Sequence, residues 1–318
     1  MPRHGLPADD GTTTPGFSYE GAFARHLGLI DAEEQSKLRR SRVAILGMGG
    51  VGGIHLVTLA RLGIGSFHIA DPDRFELANF NRQYGATTRS LGRNKAEVMA
   101  EEARAINPEA ELRAFSEAVS TANIADVLDG VDVLVDGIDF FALEARRLAF
   151  AEARRRGIWA VTAGPLGFST AYLVFSPTGM SFDEYFDLDA TPDRFDQIVS
   201  FLIGLAPRAT HRSYMDLAQA DPRTGRGPSS GLACQLCGGV VGAEVVKILL
   251  GRSPIRPAPS YAQFDAYRQE FVRGRLPGGN RHPWRRWIRR KARRRLEQLG
   301  WTAPAPERVA MSILAPGT

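Results

Sequence analysis

From residue 42 onward the apolar positions alternate between two rhythms. Short continuous runs rich in aliphatic and β-branched residues, "RVAILG", "SFHIAD", "VDVLVDG", "IWAVTAG" and "TAYLVF", read as strands. Between them, "GGIHLVTLARLG", "NKAEVMAEEARAIN" and "FALEARRLAFAEARRRG" place apolar residues at helical spacing. Gly63 and Pro108 stop the first two helices, and "ELRAFSE" adds a further strand. Residues 17–40 are expected to be helical, with Glu33 and Glu34 placed ahead of Lys37 and Leu38. The β-α-β alternation predicts an α/β fold with a doubly wound, mostly parallel sheet.

The rhythm breaks over 176–230, which is expected to be a long crossover or substrate-facing insertion ending in the polar turn "DPRTGRGPSSG". A helix returns in "CQLCGGVVGAEVVKILLG", and "PSYAQFDAYRQEFV" alternates like a terminal strand pair. Residues 1–16, rich in Thr, Pro, Gly and Asp, are expected to be a disordered leader. Residues 17–278 then form the folded unit and 279–318 a basic tail.

Composition and charge sharpen this picture. With 44% hydrophobic and 24% charged residues over 318 positions, the chain is ordinary globular material. The stretches Val43–Ala60 and Ile158–Phe182 lack Asp, Glu, Lys and Arg, but Gly, Ser and Thr interrupt them; they read as buried parallel strands with their flanks, not membrane spans. The net charge of +5 is local in origin: residues 281–300 hold nine Lys/Arg against one Glu, so the remainder is mildly acidic. That tail, with Trp284 and Trp287, is suited to an acidic partner, nucleic acid or an anionic surface, or to packing on the body. Two cysteines cannot build a disulfide framework, and the N-terminus has no apolar signal-peptide core, so a cytoplasmic location is expected.

The chemistry concentrates at one turn. "ILGMGGVGG" sets Gly47, Gly49, Gly50 and Gly52 between a strand and a helix, where the backbone can approach a phosphate and the helix N-terminus offers free N–H groups. Asp71 ends the next strand, where a carboxylate can accept ribose hydroxyls. This context suits NAD or ATP equally. The segments downstream break the tie: "DPDRFELANFNRQYG" and "LGRNK" add Asn79, Arg82, Gln83 and Lys95. Hydride transfer leaves the cofactor's phosphates intact and needs no cations for a leaving pyrophosphate. Nucleotidyl transfer does, because charge builds on the phosphate oxygens. Asp139, just past the strand "VDVLVDG", is the candidate carboxylate for magnesium, and Asp136 lies nearer the strand.

These segments resemble the ThiF/MoeB/HesA superfamily, the adenylating fold shared with ubiquitin-activating enzymes. The family pattern is GxGGxG, DxDxVxxxNxNRQ, a Gly-Arg-x-Lys segment and a DxxDN turn, and "FARHLGL" resembles its N-terminal Tyr-x-Arg-x-x-x-Leu motif. The resemblance implies that Gly47, Gly49, Gly50 and Gly52 cradle ATP and that Asp71 holds the ribose. Asn79, Arg82, Gln83 and Lys95 would surround the phosphates, with Arg82 and Lys95 stabilising pyrophosphate, and Asp139 would hold Mg2+. Arg25 would reach a partner subunit's ATP, which requires a homodimer. The substrate would be the C-terminal carboxylate of a ubiquitin-like or sulfur-carrier protein, or of a precursor peptide.

Three departures matter. Cys234 and Cys237 are the only cysteines, so the family's structural zinc is not expected, and two buried small hydrophobes is the plainer reading. Residues 176–230 hold no cysteine for a thioester. The DxxDN turn reads Asp136-Gly-Ile-Asp139-Phe140 and loses its Asn. Two rivals stand beside adenylation. An NAD-dependent oxidoreductase would leave Arg82, Lys95 and Asp139 without a task. A non-catalytic partner subunit would have no need of the cationic cluster.

Overall fold

The computed structural model describes residues 16–191, 193–220 and 227–302. Most of the expected leader, part of the polar turn at 221–226 and the end of the tail lie outside these residues. The expected continuous helix over 17–40 is instead broken. α1 (Tyr19–Phe23) runs into a 3-10 turn at Ala24–His26, and α2 (Ala32–Arg40) starts afresh. Gly28 between them takes φ +106°, and Asp31 opens α2 with a reciprocal capping box to Glu34.

The alternating core comes next: β1 (Arg42–Leu46), α3 (Gly50–Arg61), β2 (Ser66–Ala70), α4 (Lys95–Ile106), β3 (Glu111–Phe115), α5 (Ile124–Val127), β4 (Val133–Asp136), α6 (Leu143–Arg155) and β5 (Trp159–Leu166). β6 (Ser169–Phe175) turns back, α7 (Phe182–Phe186) and α8 (Arg194–Leu205) occupy the expected insertion, and α9 (Gly231–Leu250) succeeds them. β7 (Ser260–Asp265), β8 (Glu270–Arg275) and α10 (Pro283–Gln298) end the described chain. The eight strands form one sheet in the order β3-β2-β1-β4-β5-β6-β7-β8. The first five are parallel, and β6, β7 and β8 extend the sheet in antiparallel fashion.

Burial explains the strand sequences. β4 is buried at every position, as a strand covered on both faces must be. Edge strand β8 alternates between half-buried and exposed residues. Along β1, Val43 and Ile45 face a core built with α3, α4 and α9, whereas Ala44 and Leu46 face one built with α5 to α8. α9 is long and apolar enough to cross a membrane. Its apolarity has a local cause: it packs against α3 on one side and β5 and β6 on another. Gly238 and Gly242 let it lie so close to α3 that a Cβ at either would meet Thr58 at 3.1 Å.

Residues 176–191 and 193–220 form a structured layer on the sheet. Phe182, Phe186 and Phe201 join Phe150 and Phe175 in one aromatic cluster under the crossover. The basic tail also packs on this layer, but not through Trp284 and Trp287. Trp284 and Trp287 stack on each other at 4.6 Å and stay exposed. α10 instead buries Arg285, Arg289 and Leu296. Arg286 and Arg289 donate to Asp187, which is 2% exposed, and Arg293 pairs with Asp193 and Asp196 at the start of α8. Arginine stems cover apolar surface while their guanidiniums reach buried carboxylates, which a run of charges in sequence does not reveal.

Candidate active site

β1 is flanked by β2 and β4, whose connections leave to opposite sides, so the loop after β1 sits at the switch point of the sheet. Its glycines divide the work. Gly47 takes φ +88°, and a Cβ there would lie 2.2 Å from the Gly137 carbonyl oxygen. A Cβ on Gly52 would lie 1.7 Å from the Gly47 oxygen. These two, with Gly137, bring the loop after β1 and the loop after β4 into backbone contact. Gly137 does not stand out as a site residue in the sequence, although "VDG" after an apolar run is the signal that marks it. Gly49 is different: a Cβ there would meet only Gln83 Nε2, at 3.8 Å. It is the N-cap of α3, and no side chain among the described residues caps that terminus, so the first-turn N–H groups remain available for an anion. Gly50 packs against Cys234 Sγ and the Arg82 stem.

Asp71 ends β2 and is buried. Its Oδ2 accepts the Met48 N–H at 2.6 Å and its Oδ1 the Asp73 N–H at 2.8 Å. The carboxylate therefore ties the glycine loop to the next turn and keeps lone pairs for further donors. Burial pushes its pKa up to about 6, against the opposing pull of Lys95.

Asn79 closes the 3-10 turn Leu77–Asn79, its Oδ1 accepting the Glu76 N–H. Its own carbonyl accepts the N–H groups of Arg82 and Gln83, which aims those two side chains at the loop. Gln83 is buried against Gly49, and its Oε1 has no hydrogen-bond partner among the described residues. Such an orphan acceptor is costly unless a ligand or water supplies a donor. Arg82 donates to the Ala78 carbonyl and Asn81 Oδ1 and has no carboxylate partner among the described residues. Lys95 opens α4, buried, with Nζ 3.1 Å from Asp73 Oδ2.

The two carboxylates after β4 separate cleanly. Asp136 is buried and saturated: it accepts Arg146 Nε and Thr162 Oγ1, each at 2.7 Å, and the Ile138 N–H. Asp139 is exposed and, among the described residues, its carboxylate accepts only the Phe141 N–H, while Ala142 takes the N-cap position of α6. Among the described residues no three His, Cys, Asp or Glu side chains group to hold a metal. One free carboxylate beside a phosphate cradle still matches magnesium, which keeps most of its waters and takes one or two protein carboxylates.

Arg25 is not brought to this cluster. It sits exposed on the turn Ala24–His26, beside elements that contact the far end of α3 through Tyr19 and Gly63. The length of α3, on the order of 18 Å for its 12 residues, separates that end from the glycine loop of the same chain. Cys234 and Cys237 lie in the core, and burial pushes the Cys234 thiol up to about 11 and that of Cys237 higher, which suits inert hydrophobes.

Comparison with known proteins gives the same frame. Residues 23–283 match the model of the ThiF family. The tRNA threonylcarbamoyladenosine dehydratase of Haemophilus influenzae is 33% identical over 154 residues, 48% of this chain and 58% of that one. MoeZ of Mycobacterium tuberculosis, named a probable adenylyltransferase/sulfurtransferase, is 28% identical over 238 residues, 72% of this chain and 53% of that one. The chain thus spans little more than half the length of these relatives. Among solved structures, E. coli MccB with AMPCPP and MccA superposes with a TM-score of 0.61 at 18% identity, covering 83% of this chain and 74% of that one. Glycine loop, sheet order and family match agree, and the chain belongs to the ThiF family.

Proposed function

We propose that this chain is an ATP-dependent adenylyltransferase that activates the C-terminal carboxylate of a small carrier protein or peptide. The observation that carries this reading is Arg82, a cation with no carboxylate partner among the described residues, lying over the first turn of α3. A dinucleotide held for hydride transfer gives such a group nothing to do. A nucleotide losing pyrophosphate does.

In this reading the substrate carboxylate attacks the α-phosphorus of ATP. The bond from that phosphorus to the bridging oxygen breaks, and pyrophosphate leaves with the electron pair. The loop at Gly47–Gly52 donates backbone N–H groups to the phosphates, and Asp71 keeps the loop in register while accepting a ribose hydroxyl. Asn79 sets the turn that aims Gln83 and Arg82, and Arg82 and Lys95 meet the charge that develops on pyrophosphate. Asp139 holds Mg2+, which when bound neutralises phosphate charge. Arg25 acts in trans within a homodimer, a role supported by its distance from its own chain's loop. All the residues given a role in adenylation fall within 17–278, and the enzyme works in the cytoplasm, where two buried free thiols persist. The substrate class rests on the names of relatives, a sulfurtransferase-linked adenylyltransferase and an enzyme crystallised with its peptide MccA.

Thermal unfolding with added nucleotide tests the site. Mg-ATP should raise the midpoint and NAD(H) should not; the reverse pattern sinks adenylation. Pyrophosphate–ATP exchange in the presence of a carrier or peptide ending in a free carboxylate then tests the reaction.

A further inference from the structure

A second cavity lies between the C-terminal half of α9 and the outer strands, with a volume of about 390 Å³. β5 runs toward the nucleotide edge of the sheet and β6 runs away from it, so Val174, Ser260 and Arg275, which line the cavity, lie at the opposite edge. Its charged side chains are Glu244, Lys247, Arg256, Arg273 and Arg275, with the hydroxyls of Tyr172, Ser260 and Tyr261 beside them. None of them belongs to the nucleotide cluster.

The charges there are incompletely matched. Glu244 is 8% exposed; its Oε1 accepts Lys247 Nζ at 2.5 Å, but its Oε2 is buried with no hydrogen-bond partner among the described residues. A carboxylate oxygen in that position calls for a donor. Around it, Arg256, Arg273 and Arg275 have no carboxylate partner among the described residues and are exposed at the rim. Tyr172 lies close enough to Glu244 and Arg273 for both to act on its hydroxyl, Glu244 adding to the upward push of burial and Arg273 opposing it. A simple anion would satisfy the arginines but leave Oε2 bare beside added negative charge. A simple cation would satisfy Glu244 but face Lys247 and three guanidiniums. A ligand with an ammonium group and more than one carboxylate satisfies both, and arginine forks are well shaped for carboxylates. The volume suits such a molecule.

We propose that this cavity binds an amino-dicarboxylate, its ammonium on Glu244 and its carboxylates on the arginines. A free acidic amino acid and the amino terminus of an acidic peptide present the same groups. Calorimetric titration of the full chain with L-glutamate, the dipeptide Glu-Glu and glutarate distinguishes them. Saturable binding of L-glutamate alone identifies a free amino acid, and binding of the dipeptide alone a peptide terminus; either supports the site. Glutarate, which lacks the ammonium, should bind at least about tenfold more weakly than the preferred ligand. Glu244→Gln, which is nearly isosteric, should abolish that discrimination while leaving the Mg-ATP thermal shift intact. Arg273→Ala, on an exposed edge, should weaken the preferred ligand about tenfold. No saturable heat from either amino compound at millimolar concentration, or equal binding of glutarate and glutamate to the wild-type chain, overturns the proposal.

Discussion

Replacing Gly49 and Gly52 separately by Ala should split folding from nucleotide binding, because the two glycines meet different surroundings. An alanine inside a helix ordinarily stabilises it by about 1 kcal/mol relative to glycine. At position 52 the new Cβ would lie 1.7 Å from the Gly47 oxygen, far inside any real contact. Relief requires the loop to move by more than about 1 Å and to leave its seat against Gly137, a backbone overpacking that costs on the order of 3 kcal/mol or more. The thermal midpoint should fall on the order of 6 °C or more. At position 49 the Cβ meets only Gln83 Nε2 at 3.8 Å, so the fold should hold within about 1 kcal/mol. That methyl group would stand in front of the N–H groups of α3, and Mg-ATP affinity should fall at least tenfold, about 1.4 kcal/mol. Thermal unfolding with and without Mg-ATP reads both effects. A Gly52→Ala protein melting with the wild type refutes the packing argument. A Gly49→Ala protein with a full Mg-ATP shift refutes the cradle.

The site carries three further expected outcomes. Arg82→Ala should lower pyrophosphate exchange about a hundredfold with little change in unfolding midpoint, since the side chain has no ion-pair partner to lose among the described residues; an unchanged rate removes its assigned role. Mixing Arg25→Ala with Asp139→Ala chains should recover about a quarter of wild-type exchange, because half the dimers are mixed and each holds one intact site; no recovery argues against trans action. Asp71 has its pKa raised from 3.8 to about 6 by burial, so the folded state binds more protons than the unfolded state between those values. Its contribution to stability is full below about pH 4 and is lost as pH rises through about 6, by up to about 3 kcal/mol. Urea unfolding across that window should show this decline in the wild type and not in Asp71→Asn; parallel slopes would place the titration elsewhere.

The features legible in the sequence are the local ones. The glycine loop, Asp71 at a strand end and the polar turn at 79–83 belong to one β-α-β unit and the connection that follows it, so spacing alone places them on neighbouring turns. The doubly wound order comes from the same rhythm. The features that escape it depend on distant partners. Gly137 matters because the loop after β4 touches Gly47, a contact across the sheet. The choice of Asp139 over Asp136 rests in sequence on distance from the strand end alone; that Asp136 is already occupied follows from Arg146 and Thr162 converging on it from elsewhere in the chain. The region 176–220 is legible as an interruption, but its aromatic residues form a core layer with Phe150 and Phe175 that no local pattern encodes. The break at Gly28 is masked by flanking residues that are good helix formers, and only the Asp31–Glu34 capping pair marks the fresh start of α2.

The seating of α10 bears on where this protein ends as a physical object. Asp187, held in the left-handed region at φ +57° and almost wholly enclosed, has its charge answered by Arg286 and Arg289, about a hundred residues further along the chain. A chain stopped after β8 would carry that anion into its interior with nothing opposite it, a defect typically worth about 3–5 kcal/mol and comparable to a large part of a domain's net stability. Family similarity stops at residue 283, yet the covalent length that this fold needs for autonomy runs on to Trp301, whose ring closes the seam between α8 and α10. Shortening the tail would therefore act as a lesion in the body, and a loss of activity in such a chain would speak of folding before it spoke of any partner.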